Sequence, residues 1–155
     1  MSESLLDNLA LRPAGGWLRD RWLYAIALAA FPVAFGMRAL TDVAETEPTP
    51  DLSWLVGFLV WQPLVEELLF RGVLQGQLGR TRGGRWQCRG ISGANLLASA
   101  LFVLAHASHH APAWAVAVFV PSLAFGLMRD RHGSIYPGLL LHAVCNGAYV
   151  LAGLP

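Results

Sequence analysis

Long apolar stretches dominate this chain and restrict what it can fold into. A helix that crosses a bilayer needs about 20 mostly apolar residues, and the sequence contains five stretches of roughly that length. They run over 22–40, 52–78, 92–109, 112–128 and 134–154. Only 14% of the residues are charged, whereas soluble domains carry about 25%. We therefore predict an all-α, polytopic membrane helix bundle of about five transmembrane helices.

The charges between these stretches alternate in a way that predicts the orientation. Arginine supplies every permanent positive charge, because the chain contains no lysine. The basic links precede the first stretch, join the second to the third, and join the fourth to the fifth: Arg12, Arg19, Arg21; Arg80, Arg82, Arg85, Arg89; Arg129, Arg131. The other links are acidic or carry only histidine, and Arg38 is the exception. Since basic loops stay in the cytoplasm, we predict a cytoplasmic N-terminal lead-in over 1–21 and a transmembrane domain over 22–155.

Two links carry signals of their own. Prolines 48 and 50 predict a turn in the acidic segment 41–51, and the pair Gly83-Gly84 predicts a flexible middle in the long basic loop. The net charge of +1 argues against a nucleic-acid partner. The bilayer itself is the partner that this composition predicts.

Besides Arg38 and His109, which lie near the ends of their stretches, five acidic or basic side chains fall inside the apolar stretches. They are Glu66, Glu67, Arg71, His106 and His142. Each such group costs about 2.5–3.5 kcal/mol on membrane-insertion scales, so these side chains must face one another or a wet cavity. Their clustering is the main functional signal in the sequence.

Helix geometry assigns different roles to the two adjacent carboxylates. Glu67 and Arg71 are four residues apart on one helix face and can form an ion pair, whereas Glu66 points about 100° away. Glu66 is thus free for chemistry. Pro63 removes a backbone hydrogen bond and predicts an opening or kink just before the pair. The alternative is a purely structural polar cluster between helices.

The remaining polar residues form two further pairs with helical spacing. His142 and Asn146 project together and are suited to donate hydrogen bonds to an oxyanion, or else to bond neighbouring helices. Phe102 and His106 share another face, where a lone histidine is often only a packing residue.

Read in order, these residues resemble a known family of membrane proteases. Its three motifs are similar to Glu66-Glu67-Leu-Leu-Phe-Arg71-Gly72, Phe102-Val-Leu-Ala-His106 and His142-Ala-Val-Cys-Asn146. This pattern resembles the CAAX-processing and bacteriocin-processing (CPBP) glutamic intramembrane proteases. The likeness extends from Leu52 to about Val150.

The resemblance implies an intramembrane endopeptidase and a role for each matched residue. Glu66 with His106 would activate water, and His142 with Asn146 would stabilise the oxyanion. Structural support would come from Glu67, Arg71 and Phe102. The favoured scheme uses no metal or other cofactor. Zinc bound by Glu66, His106 and His142 is the metal-dependent alternative.

The short chain also bears on the substrate. It is similar in length to bacterial sorting proteases of the JDVT-CTERM and myxosortase-like groups, which implies a membrane-anchored protein substrate cleaved near its C-terminal anchor in the bacterial inner membrane. Two other functions stay open. One is a non-catalytic, bacteriocin-immunity-type protein of the same superfamily, and the other is a small proton-coupled transporter. The sequence leaves the oligomeric state open.

Overall fold

The protein is described here from a computed structural model, which covers residues 9–40, 51–108 and 112–153. The turn predicted in 41–51 lies outside the described residues except for Asp51, and so do the first eight residues of the lead-in. The described chain is all-α apart from one small hairpin. A 3-10 turn at Trp17–Arg19 precedes the first long helix.

The helices follow the predicted apolar stretches closely. Their bounds are α1 Arg21–Leu40, α2 Leu52–Leu78, α3 Gly93–Ala107, α4 Pro112–Ala117, α5 Phe119–His132 and α6 Tyr136–Leu151. Within the described residues, Arg21–Ala39 and Leu52–Leu78 are long and apolar enough to cross a membrane. The arrangement with five spans therefore stays a prediction.

The fourth stretch, 112–128, differs from its prediction at both its middle and its end. It divides at Val118 into α4 and α5, and Pro121 lies in the first turn of α5, where its missing backbone N–H removes no intrahelical hydrogen bond. The helix then continues past the predicted end to His132. It stops at Gly133, whose φ of 62° gives a left-handed C-terminal cap.

Helix α2 is irregular around its polar residues. It contains π-type segments at Gly57–Trp61 and Leu68–Leu74, with an α-helical segment Gln62–Glu67 between them. Pro63 lies just after the first segment, so the predicted opening of the helix is present as a wide turn. Such π-segments are frequent at functional sites.

Helix α6 packs between α1 and α5 and carries the core of the bundle. Leu23, Phe125, Met128 and Leu141 form one buried cluster, and small alanines of α1 and α6 form a second. Large apolar side chains remain exposed along α1 and α2, including Leu28 at 71%. This exposed apolar surface is what a lipid-facing helix requires.

The loop between α2 and α3, where the sequence predicted a flexible middle at Gly83-Gly84, is folded against the end of α2. A Cβ on Gly84 would lie 1.8 Å from the carbonyl oxygen of Leu78, and one on Gly93 would lie 2.1 Å from that of Gly83. These glycines therefore allow close backbone packing. The loop ends in a hairpin of β1 (Gln87–Cys88) and β2 (Ile91–Ser92).

Several helix ends meet at one end of the bundle. Asp130 near the end of α5 accepts hydrogen bonds from Gln75 of α2 at 2.8 Å and from Ser92, which caps α3, at 2.6 Å. Asp20, just before α1, contacts Arg131 at 2.9 Å and His132 at 3.0 Å.

The Asp20 carboxylate is held in its ionised form. Burial acts to raise its pKa, but hydrogen bonds from the Trp22 backbone, Arg131 and His132 outweigh this and lower the pKa below 3.8. The start of α1 is thereby tied to the end of α5.

Candidate active site

The two adjacent carboxylates of α2 meet His142 of α6. The Nδ1 of His142 lies 3.1 Å from Oε1 of Glu67, and its Nε2 lies 3.5 Å from Oε2 of Glu66. Since a carboxylate only accepts, Nδ1 donates to Glu67. The imidazole is 6% exposed and Glu66 is 19% exposed, so this group of three is largely shielded from the surroundings. Glu67 thus orients His142 so that Nε2 faces Glu66.

Glu66 keeps a free acceptor at this point. Its Oε1 accepts a hydrogen bond from Gln62 at 2.9 Å, whereas Oε2 is buried and has no hydrogen-bond partner among the described residues. A neutral His142 that donates from Nδ1 has a lone pair on Nε2. The contact between Nε2 of His142 and Oε2 of Glu66 is favourable when one proton lies between them.

Glu67 and Arg71 form the expected ion pair. Their Oε2 and Nε atoms are 3.6 Å apart, and both side chains are completely buried. Gly138 of α6 packs directly against the pair, since a Cβ there would lie 2.8 Å from Oε2 of Glu67. Glu67 therefore serves both Arg71 and His142, while the sequence predicted only the first contact.

The guanidinium group of Arg71 connects three helices. It donates to Gln75 on its own helix, to Ser99 of α3 at 3.4 Å, and to Ser122 of α5. Ser99 in turn donates to Asn95 at 3.1 Å. Every group in this set is buried. The Glu67 carboxylate balances the charge of Arg71, and these hydrogen bonds satisfy its two terminal nitrogens, while Nε has no hydrogen-bond partner among the described residues.

The network continues to the basic end of the bundle. Gln75 donates to the carbonyl oxygen of Gly126 at 3.0 Å and to Asp130. Asn95 donates to the carbonyl oxygen of Leu123 at 3.0 Å, so it bonds a neighbouring helix. A Cβ on Gly126 would lie 1.9 Å from the side-chain oxygen of Asn95, which explains the glycine at this crossing.

His106 lies close to this group of three, but its Nδ1 is hydrogen-bonded to its own helix. Its Nδ1 is 2.9 Å from the carbonyl oxygen of Phe102. A carbonyl oxygen only accepts, so Nδ1 carries the proton and Nε2 of the neutral ring is an acceptor. The Phe102 ring contacts both histidines, with centroid distances of 4.3 Å to His106 and 6.0 Å to His142. Phe102 thus contacts the rings of both histidines.

Asn146 makes a contact that the sequence offered only as the alternative. Its Nδ2 donates to the carbonyl oxygen of Phe58 at 2.8 Å. In a π-type turn, the carbonyl oxygen of one residue accepts from the N–H five residues later. For Phe58 that residue is Pro63, which has no N–H. One N–H of Asn146 is therefore engaged with α2, and the amide has a second N–H.

The proposed zinc ligands do not form a metal site here. Among the described residues, no three His, Cys, Asp or Glu side chains are arranged to hold a metal ion. Glu66 and His142 approach each other, while the Nδ1 of His106 is bonded to its own helix and its Nε2 is an acceptor. Zinc therefore stays the alternative to the metal-free scheme.

Several residues of the site were not predicted from the sequence. Gln75 continues the stripe of Glu67 and Arg71 at the same four-residue spacing, a signal that was available. The stacking of Phe125 on His142, at 4.7 Å and 19°, carried no sequence signal. Ser99, Ser122 and Asp130 lie far from Arg71 and Gln75 along the chain, and only their proximity in space reveals their role.

Comparison with known proteins assigns the three motifs to a protein family. A family model described as type II CAAX prenyl endopeptidase Rce1-like matches residues 48–148, more than half of the chain. The matched range includes every residue of the three motifs. No curated protein and no solved structure matches the chain.

Proposed function

The chain belongs to the Rce1-like family of type II CAAX prenyl endopeptidases, and from this premise we propose that it is an intramembrane endopeptidase in which Glu66 activates water. The family is one of membrane-embedded proteases, so hydrolysis of a peptide bond is the general activity. The observation that carries the glutamate mechanism is the buried, unpartnered Oε2 of Glu66, which faces Nε2 of His142 at 3.5 Å.

The reaction follows from the proton that Glu66 and His142 share. With that proton on His142, the Glu66 carboxylate accepts a proton from water, with His106 as a second acceptor, and the hydroxide attacks the substrate carbonyl carbon. The resulting oxyanion accepts hydrogen bonds from Nε2 of His142 and from the second N–H of Asn146. The C–N bond then breaks, and Glu66 passes its proton to the leaving amine.

The neighbouring charges support this proton distribution. Glu67 holds Nδ1 of His142 and is itself paired with Arg71. A second carboxylate on the far side of the imidazole stabilises the protonated ring, which is the form that donates to the oxyanion. Glu67 and Arg71 are thus positioning residues, and Phe102 keeps both histidines in place.

We also propose how the chain sits in the membrane. Asp20, Gln75, Ser92 and Asp130 meet at one end of the bundle, which is the end that carries the three arginine-rich links. That arrangement supports five spans with this end in the cytoplasm. A bacterial inner membrane and a substrate cleaved near its C-terminal anchor, as for the JDVT-CTERM and myxosortase-like groups, complete the proposal.

The test uses purified protein in liposomes with two quenched reporter peptides. One is a single-span anchor followed by arginines, and the other is a farnesylated CAAX peptide. Glu66→Gln should reduce cleavage by about 10²–10⁴-fold, the usual contribution of a general base. Gln62→Ala is the matched control, because it removes only the hydrogen bond to Oε1 and leaves the carboxylate.

The outcomes separate the competing functions. Cleavage of the anchor reporter alone supports a sorting protease, whereas cleavage of the farnesylated reporter alone favours a CAAX protease. If folded wild-type protein cleaves neither, the non-catalytic alternative gains. Full activity in Glu66→Gln would sink the glutamate mechanism, and activity lost on chelation and restored by zinc would return the metal scheme.

A further inference from the structure

The loop between α2 and α3 presents an exposed basic surface. Arg82, Arg85, Trp86 and Arg89 are all exposed, Trp86 at 54%. We call these four residues the arginine platform. The segment from Gly79 to Ser92 contains no acidic residue. None of the three arginines forms an ion pair with a described residue.

The platform is held rigidly by backbone contacts. The amides of Gly93 and Ala94 donate to the carbonyl oxygens of Trp86 and Gly84 at 2.8 and 3.1 Å. Gly84 packs against the end of α2 and Gly93 packs against Gly83, and neither position has room for a side chain. The backbone is thus ordered before a ligand binds, so the entropy lost on binding is mainly that of the side chains.

The hairpin turn places one arginine at its tip. Cys88 pairs with Ile91, so the two-residue turn is Arg89-Gly90, with φ of 50° and 86°. Positive φ at both positions is the geometry of a type I′ turn, which an arginine adopts only at a cost. The tip rests on α5, since a Cβ on Gly90 would lie 3.7 Å from Leu127.

The nearby carboxylates do not neutralise this surface. Asp130 is 13% exposed and is engaged by Gln75 and Ser92, and Asp20 is 7% exposed and is engaged by Arg131 and His132. The platform adjoins the ends of two apolar helices, α2 and α3, which is the level at which a bilayer presents its headgroups. Exposed tryptophan favours that same interface.

We propose that the arginine platform binds the phosphate headgroups of anionic phospholipids. Guanidinium groups match phosphate oxygens in geometry and charge, and each basic residue near an anionic surface strengthens attraction by about fivefold. The platform would therefore enrich anionic lipid beside the C-terminal end of α2. This inference concerns lipid binding only and does not depend on peptidase activity.

The test places a fluorophore on Cys88, which is exposed in the hairpin, in a Cys145→Ser background. The protein is reconstituted in nanodiscs of phosphatidylcholine with 30% phosphatidylglycerol. Brominated, quenching acyl chains are carried by one lipid or the other at equal bromine content. At low salt, brominated phosphatidylglycerol should quench at least about threefold more than its mole fraction in the bilayer predicts, and about 1 M salt should abolish this excess.

Matched variants decide whether the platform is responsible. The triple change Arg82→Gln, Arg85→Gln, Arg89→Gln should remove the excess quenching. The control Arg12→Gln, Arg19→Gln, Arg21→Gln loses the same charge at the N-terminus and should retain it. Equal loss in both variants, or no excess in the wild type, would overturn the proposal. Displacement of the lipid by inorganic phosphate at constant ionic strength would identify a soluble anion as the ligand and would also overturn it.

Discussion

Removing Arg71 should destabilise the protein far more than removing any exposed arginine. Arg71 is completely buried, as is its partner Glu67, and the guanidinium donates to Gln75, Ser99 and Ser122. Arg71→Met fills similar space but leaves the Glu67 carboxylate buried without its cation. Breaking one partner of a buried ion pair costs about 3–5 kcal/mol, and we expect a loss of about 4 kcal/mol.

The double variant distinguishes charge pairing from simple packing. Glu67→Gln alone should also cost about 3–5 kcal/mol, because it leaves Arg71 unpaired. Glu67→Gln combined with Arg71→Met leaves no unpaired charge in this pair. The remaining loss comes from Ser99 and Ser122, whose hydrogen bonds are worth about 1–3 kcal/mol in a buried setting. The double variant should therefore be more stable than either single variant.

The free energy of unfolding can be followed by detergent titration in mixed micelles. Cys145 lies partly inside the bundle, so its reaction with a thiol dye reports unfolding in a Cys88→Ser background. Arg82→Met is the control, and its exposed position predicts a change within about 0.5 kcal/mol. Strict additivity of the two buried substitutions, or a loss below about 1 kcal/mol for Arg71→Met, would refute the reasoning.

Three further predictions concern packing, pH and the helix contact of the amide. Gly126→Ala should cost about 1–3 kcal/mol in the same assay, because its Cβ would lie 1.9 Å from a side-chain oxygen of α3. Gly147→Ala has nothing within 4 Å of its Cβ and lies inside α6, so it should be neutral or stabilise the protein by up to about 1 kcal/mol; equal effects would contradict this. Asp20→Asn should lower the melting temperature at pH 7, because a carboxyl whose pKa is lowered on folding stabilises the protein at every pH above its unfolded pKa. The difference in melting temperature from wild type should shrink as the pH falls below 3.8. A constant difference across a pH series would argue against the ion pair. Asn146→Ala should cost about 1 kcal/mol, because it leaves the Phe58 carbonyl without its 2.8 Å donor, and it should also lower cleavage of the reporters; unchanged stability would mean that the α2 contact is dispensable.

Much of the helical layout was predictable from local pattern. The bounds of α2 agree with the predicted stretch 52–78, because a long apolar run between polar links leaves little choice of where a helix begins and ends. The Glu67–Arg71 pair was predictable for the same reason, since residues four apart on a helix are always neighbours. At Gly83-Gly84 the local pattern predicted flexibility, whereas Gly84 packs directly against the carbonyl oxygen of Leu78 at the end of α2.

The sequence by itself determined which residues are apolar enough to form the helices and which polar side chains share a helix face. It also identified the family through three motifs. Tertiary structure alone decided that His142 lies between Glu66 and Glu67, that Ser99 and Ser122 solvate Arg71, and that Asn146 reaches Phe58. These partners are 28 to 88 residues apart along the chain. Helical periodicity states which way a side chain faces, whereas the identity of its partner depends on how whole helices pack against one another.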